Sequence, residues 1–127
     1  MSNLPKEQLS ISQIIGSFYD FGKNYHDMST DNTIGGDKYF HCKANFEAAR
    51  RGKLAEAIAK ALSDIRELSN VQSNPIRKGM TVQQSIEDSK ADQFANLIGR
   101  LNAKNTIYKN AKEGCQQFRV RGINEKY

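Results

Sequence analysis

The 127-residue sequence has no apolar run approaching the roughly 20 residues that a membrane-spanning helix needs. Residues Met1 to Lys6 lack the charged start and unbroken apolar core of a Sec signal peptide, so export is expected by another route or as part of a longer chain. Cysteine is scarce: Cys42 and Cys115 are too few for a disulfide scaffold and wrongly spaced for a zinc finger. If they pair, the loop they close is long and chain entropy alone gives about 4 kcal/mol. Two buried free thiols fit the sequence equally well. There is no RNA-binding aromatic signature, so nucleic-acid binding is not favoured. No Ser/His/Asp order with a Gly-framed nucleophile occurs, and Cys42 beside His41 makes no dyad, because adjacent helical residues point apart. Internal repeats and low-complexity tracts are absent.

What is present is helical periodicity in one 127-residue domain with 38% hydrophobic residues. Pro5 suits a first helical position, and Ile11, Ile14, Ile15, Phe18 and Gly22 follow at helical spacing, predicting a first helix over 5–25. The turn-rich Met28 to Gly36 breaks it. A second helix starts near Asp37 and stops at Arg50-Arg51-Gly52. The third, 53–70, has a stripe of Leu54, Ile58, Ala61, Leu62, Ile65 and Leu68, and Gln72 to Gly79 is a linker. Thr81-Val82-Gln83-Gln84 reads as a capping box opening a fourth helix to about 104, with Phe94, Leu97, Ile98 and Leu101 as its stripe. Asn105 to Lys112 extends it or ends it, and Cys115 to Tyr127 is a short strand or an ordered tail. The expected fold is all-α, a bundle of about four helices. The net charge of +5 concentrates at the end, where residues 100–127 carry seven Lys or Arg against two acids. That tail suits an anionic partner, or is a solvated basic surface.

Three helical stretches carry polar residues at i,i+3 or i,i+4. Asp37 and His41 share a face with Ala44 and Ala48. Glu67 and Asn70 share one with Ala59 and Ser63, opposite the Leu/Ile stripe. Asp92 and Asn96 share one with Gly99 and Ala103, opposite Phe94 and Leu97. Small neighbours let backbones approach closely, so these faces are expected to meet as a second, polar seam inside the bundle. The alternative is that they are the solvent faces of amphipathic helices. A buried carboxylate cluster must be paired, protonated or bound to a cation. Three uses stay open: acid/base hydrolysis with His41 as base oriented by Asp37 and with Glu67 and Asp92 at unequal pKa values; a divalent metal on Asp37, His41, Glu67 and Asp92; or a hydrogen-bonded network without chemistry.

The block from Gly36 to Gly52, with Ile65-Arg66-Glu67 and Asp92 to Arg100, resembles a motif at the variable C-terminal ends of bacterial RHS-repeat and related polymorphic toxins, over roughly residues 35–120. Residues 1–34 would precede that core as an N-terminal helix and loop. A fainter echo is similar to VanZ-like and small envelope-lipoprotein sequences. The resemblance implies an effector delivered into competing bacteria by contact-dependent or type VI secretion and encoded beside a cognate immunity protein. The toxin pattern carries further cysteines where this chain has Phe46 and Arg119, which implies Cys42 and Cys115 as a surviving disulfide suited to an oxidising periplasm. It also carries an Asp where Asn70 stands here.

The expectation is therefore a secreted antibacterial effector acting in the target-cell periplasm, hydrolysing a lipid or peptidoglycan bond. Asp37, His41, Glu67 and Asp92 would be catalytic, with Asn70 and Asn96 in support and an anionic envelope component as partner; the cofactor stays open, a divalent metal on the same four residues being one alternative. The competing expectations are a non-enzymatic helical binding module with a structural polar network, and a metal-dependent nuclease effector.

Overall fold

The computed structural model describes residues 5–127. Four long helices, α1 (Lys6–Asp31), α2 (Asp37–Ala49), α3 (Lys53–Arg77) and α4 (Val82–Ala103), are followed by a single turn, α5 (Ala111–Gly114), and a 3-10 turn at Gln116–Phe118. The fold is all-α, and no strand occurs among the described residues. The end of the chain, one expected alternative for which was a strand, is an ordered tail. Arg119 donates to the carbonyls of Ile123, Asn124 and Tyr127 and lies over the Tyr39 ring. The tail's Asn124 amide donates to Asp31 at the end of α1.

Helix boundaries follow local chemistry. α1 outlasts its expected end at residue 25 and stops where Asn32 turns left-handed, at φ 51°. α4 opens on the expected capping box, Thr81 and Gln84 bonding each other's backbone amides. It stops at Ala103 rather than running on, because Arg50 takes the carbonyls of Ala103, Asn105 and Tyr108. α3 runs on to Arg77, through most of the expected linker, with Pro75 inside it. Proline there deprives the Val71 carbonyl of its amide partner. The Ser85 hydroxyl of α4 lies 3.3 Å from that carbonyl and 3.4 Å from the Asn70 carbonyl, and donates in its place.

α2 is the central element, buried on nearly every side. Its Tyr39, Phe40, Cys42 and Phe46 form the main apolar core with Ala95, Cys115 and Ile123. Cys42 and Cys115 are joined as a disulfide, Cα to Cα 5.8 Å, tying the end segment to α2. α4 crosses α2 at Gly99, where a Cβ would fall 2.3 Å from the Cys42 carbonyl oxygen, so only glycine permits this approach.

The long aliphatic stripes are on the outside. Ile11, Ile14, Ile15 and Phe18 of α1, Leu54, Ile65 and Leu68 of α3, and Phe94, Leu97 and Leu101 of α4 are all exposed. The faces that meet are those rich in small and polar residues: Ser17, Asp20 and Asn24 of α1, Ala55, Ala59, Ser63 and Glu67 of α3, and Asp92, Ala95, Asn96 and Gly99 of α4. The polar seam is thus the main helix interface, not a second one beside an aliphatic core.

Candidate functional site

The seam has two parts. Its first is a hub on Asn45, whose amide nitrogen donates to the Asn96 side chain and to the His41 carbonyl, both at 2.9 Å. Its oxygen accepts from Arg100 at 2.7 Å and from Ser63 at 3.2 Å. Asn96 in turn donates to Gln93, and Gln93 to Asp64 at the surface. Every polar atom of the Asn45 side chain is used, which is what keeps such a group tolerable at full burial. Asn24 repeats the arrangement between α1 and α2, donating to Glu47 and the Asp20 carbonyl and accepting from Lys43.

The second part is charged. Asp37 and His41, one turn apart on α2, face Asp92 of α4, and one ligand-type atom from each lies within 4.8 Å of the others. His41 Nε2 is 3.5 Å from Asp92 Oδ2, in ion-pair range but long for a hydrogen bond. The Lys38 ammonium sits against Asp92 and bonds Asp37 at 2.8 Å and Asp88 at 2.9 Å. Burial and the neighbouring Asp92 carboxylate push the Glu67 carboxyl up to about 8. Asp92 itself is driven up by burial, but the His41 imidazole and the Lys38 ammonium prevail and hold it well below the carboxylate range. One buried acid is thereby neutral at pH 7 and its neighbour charged. Among the described residues no protein group bonds His41 Nδ1 or Glu67 Oε1.

Aromatic contacts connect this cluster to the outer face. The Tyr25 ring stands edge-on to His41 at 5.4 Å, and Arg66 lies over Tyr25 at 4.1 Å. Outside them, Phe18, Phe21, Leu62 and Ile65 line an open groove between α1 and α3 of about 480 Å³. The two helices run in the same direction, fixed at one end by Gln13 accepting from the Ala55 amide and Ser17 donating to the Ala55 carbonyl.

Of the sequence-derived residues, His41, Glu67, Asp92 and Asn96 are buried, and Asp37 is half-buried at the rim. Asn96 belongs to the Asn45 hub rather than to the His41 cluster. Asn70 joins neither: it lines the outer groove, and its backbone carbonyl serves Ser85. The seam also uses residues that the sequence did not single out, Lys38, Asn45, Asn24 and Arg100. Asn45 stands one turn after His41 and eight residues after Asp37, so the same i,i+4 rule reaches it. The basic end of the chain is partly spent internally, Arg119 on tail carbonyls and Lys112 on the Glu125 carbonyl.

A family model described as serum amyloid A protein matches residues 9–127. Serum amyloid A-3 protein of Bos taurus is 42% identical over 108 residues, covering 85% of this chain and 75% of the relative. Serum amyloid A protein of Ovis aries is 39% identical over 108 residues, covering 85% and 88%. That of Felis catus is 38% identical over 109 residues, covering 86% and 76%. These matches overturn the resemblance to bacterial RHS-repeat toxin ends and the VanZ-like echo, since the whole block from Gly36 to Arg100 that carried it lies inside the matched span. With it fall the antibacterial envelope hydrolase, the nuclease effector, type VI delivery, the cognate immunity protein and the anionic envelope component as partners. Action in a target-cell periplasm falls too, because the relatives are animal proteins named for serum. The motif misled for a physical reason: polar residues at i,i+4 among alanines and glycine serve close helix packing as well as they serve chemistry. The chain belongs to the serum amyloid A family.

Proposed function

We propose that this chain is a non-enzymatic helical binding module that lies on a phospholipid surface through the outer faces of α1 and α3. The observation that carries the reading is where the long apolar side chains are. Ile15 is 63% exposed and Ile65 67%, on parallel neighbouring helices whose groove floor is Phe21 and Leu62. An apolar stripe on paired amphipathic helices, with Arg66 at its edge, matches how helices lie in a lipid interface. The net charge of +5 favours anionic headgroups over zwitterionic ones. No helix of the described residues is long and apolar enough to cross a membrane. On the other side, His41 is only 3% exposed, so an organic substrate does not reach its ring, which supports a non-catalytic use of it.

Flotation with vesicles tests this. The full chain is expected to float with phosphatidylcholine vesicles and more strongly when phosphatidylserine is added. The triple change Ile11→Ser, Ile15→Ser and Phe18→Ser should lower partitioning by at least about tenfold, given roughly 1.5–3 kcal/mol for burying each large apolar side chain. Phe94→Ser with Leu97→Ser on α4 should leave it unchanged. Failure of the wild type to float, or equal loss from the α4 pair, sinks the reading.

A further inference from the structure

We propose that Asp37, His41 and Asp92 form a site for a divalent first-row cation, zinc in the first instance, that enters by exchange with the Lys38 ammonium. The donors come from two helices that packing already holds together: one turn of α2 supplies a carboxylate and an imidazole, and α4 supplies the second carboxylate. Their ligand atoms lie within 4.8 Å of one another. Three protein donors with an open fourth position is an arrangement zinc takes, at bonds of about 2.0–2.2 Å, which asks these side chains to close inward by roughly an ångström. An imidazole among the carboxylates argues against calcium or magnesium, which take oxygen ligands.

A group of acids alone would carry little weight, but this one includes an imidazole, His41, that is more than nine-tenths buried and incompletely bonded. Among the described residues His41 Nδ1 has no hydrogen-bond partner, and His41 Nε2, the nitrogen that faces the carboxylates, is 3.5 Å from Asp92 Oδ2, too far for a good hydrogen bond. The three donors of the Lys38 ammonium go to Asp37, Asp88 and Asp92 and leave none for the imidazole, whereas a cation with affinity for nitrogen bonds carboxylate and imidazole alike. Lys38 also has somewhere to go. Its side chain is partly exposed and already touches Asp88, which lies outside the proposed donor set. Asp37, the most exposed of the three donors, gives a way in.

The test is calorimetric titration of zinc chloride into the full chain after chelator treatment, with thermal unfolding in parallel. Saturable binding at one ion per chain, with a dissociation constant of about 10 µM or tighter, is expected together with a raised melting temperature. Asp37→Asn lies at the rim, so it should fold normally and weaken binding by at least about tenfold. Lys38→Met removes the resident cation and should act in the opposite direction, tightening binding while lowering the melting temperature of the zinc-free protein. A dissociation constant weaker than about 100 µM overturns the proposal. So does an affinity that neither variant changes, which would place the ion elsewhere, for instance at the exposed His26. Calcium binding as tightly as zinc would also overturn it, because the imidazole would then not be a ligand.

Discussion

α3 has two faces that divide labour differently from most bundles. Its inward face is Ala55, Ala59, Ser63, Glu67 and Asn74, and its outward face includes Leu54, Ile65, Leu68 and Ile76. In most surface helices the aliphatic stripe faces the core. Here the inward contacts are made by Ala and Ser, too small to hold backbones apart, and by the polar Glu67 and Asn74, so hydrogen bonds and close contact do the work that interdigitated leucines do elsewhere. Gly99 against the Cys42 carbonyl shows how near the helices come. The aliphatic side chains have no room in such an interface and are left outside. The helix-packing contacts and the exposed apolar side chains thus sit on opposite faces of the same helix, and each should be removable without the other.

The largest effect is expected on the inner face, at Asn45. Replacing Asn45 by Ala strands Ser63 and the Asn96 side-chain oxygen and removes a partner from the buried Arg100. At roughly 1–3 kcal/mol for each unsatisfied buried group, the loss should be about 3–5 kcal/mol in urea unfolding. A loss below about 1 kcal/mol would mean that the hub is not what holds α2 to α3 and α4.

The helices were legible in the sequence because they depend on local spacing. Asp37, His41, Glu67 and Asp92 stand at helical intervals beside Ala, Ser and Gly, and that pattern already points to a close polar contact. What sequence spacing does not say is which of two opposite faces turns inward, since a stripe of Ile and Leu satisfies the same period as the polar stripe. The decision is made by three-dimensional fit, at Gly99 and along the alanines. Pro75 hid the last turns of α3 for a related reason: the hydroxyl that compensates for it, Ser85, comes from another helix. The charged cluster misled about function because a buried acid pair split between neutral and ionised states looks the same in sequence whether it locks a fold or runs a reaction.

A second, smaller effect separates the two halves of the inner face. With its carboxyl held up at about 8 in the folded chain, Glu67 binds a proton that the unfolded chain releases above its ordinary value of 4.5. Stability attributable to this residue is therefore greatest below about pH 4.5, falls as pH rises, and reaches its floor above about pH 8. Glu67→Gln keeps the size and the neutral state, so in chelator its stability should vary less between pH 5 and 8. It should exceed the wild type by on the order of 2 kcal/mol near pH 8. Asp92, held low, contributes the opposite trend, but only below the ordinary carboxylate range, outside this window. Parallel pH profiles for the two proteins would show that Glu67 is ionised in the fold and that Asp92 does not share its proton. The one acid linked to the Asn45 hub, Asp64, is held below the ordinary carboxylate range and so stays ionised between pH 5 and 8; Asn45→Ala should shift the whole profile down there without changing its slope.

The smallest effect on stability, and the sharpest contrast, belongs to the outer face. Ile15 and Ile65 are about two thirds exposed, so burying them contributes little to folding. Ile15→Ser and Ile65→Ser should each change the unfolding free energy by no more than about 0.5 kcal/mol, the usual range for surface sites. Serine also lowers helix propensity relative to isoleucine only slightly, so backbone effects should not mask the result. The same substitutions should weaken vesicle partitioning, because on a lipid surface these side chains would be buried for the first time. Measuring both quantities on the same samples completes the comparison with Asn45→Ala, which should unfold early yet, at temperatures where it remains folded, float with vesicles as the wild type does. If Ile15→Ser instead costs as much stability as Asn45→Ala, the outer stripe is part of the folded core in solution, covered by another copy of the chain. Gel filtration at increasing concentration would then show the association.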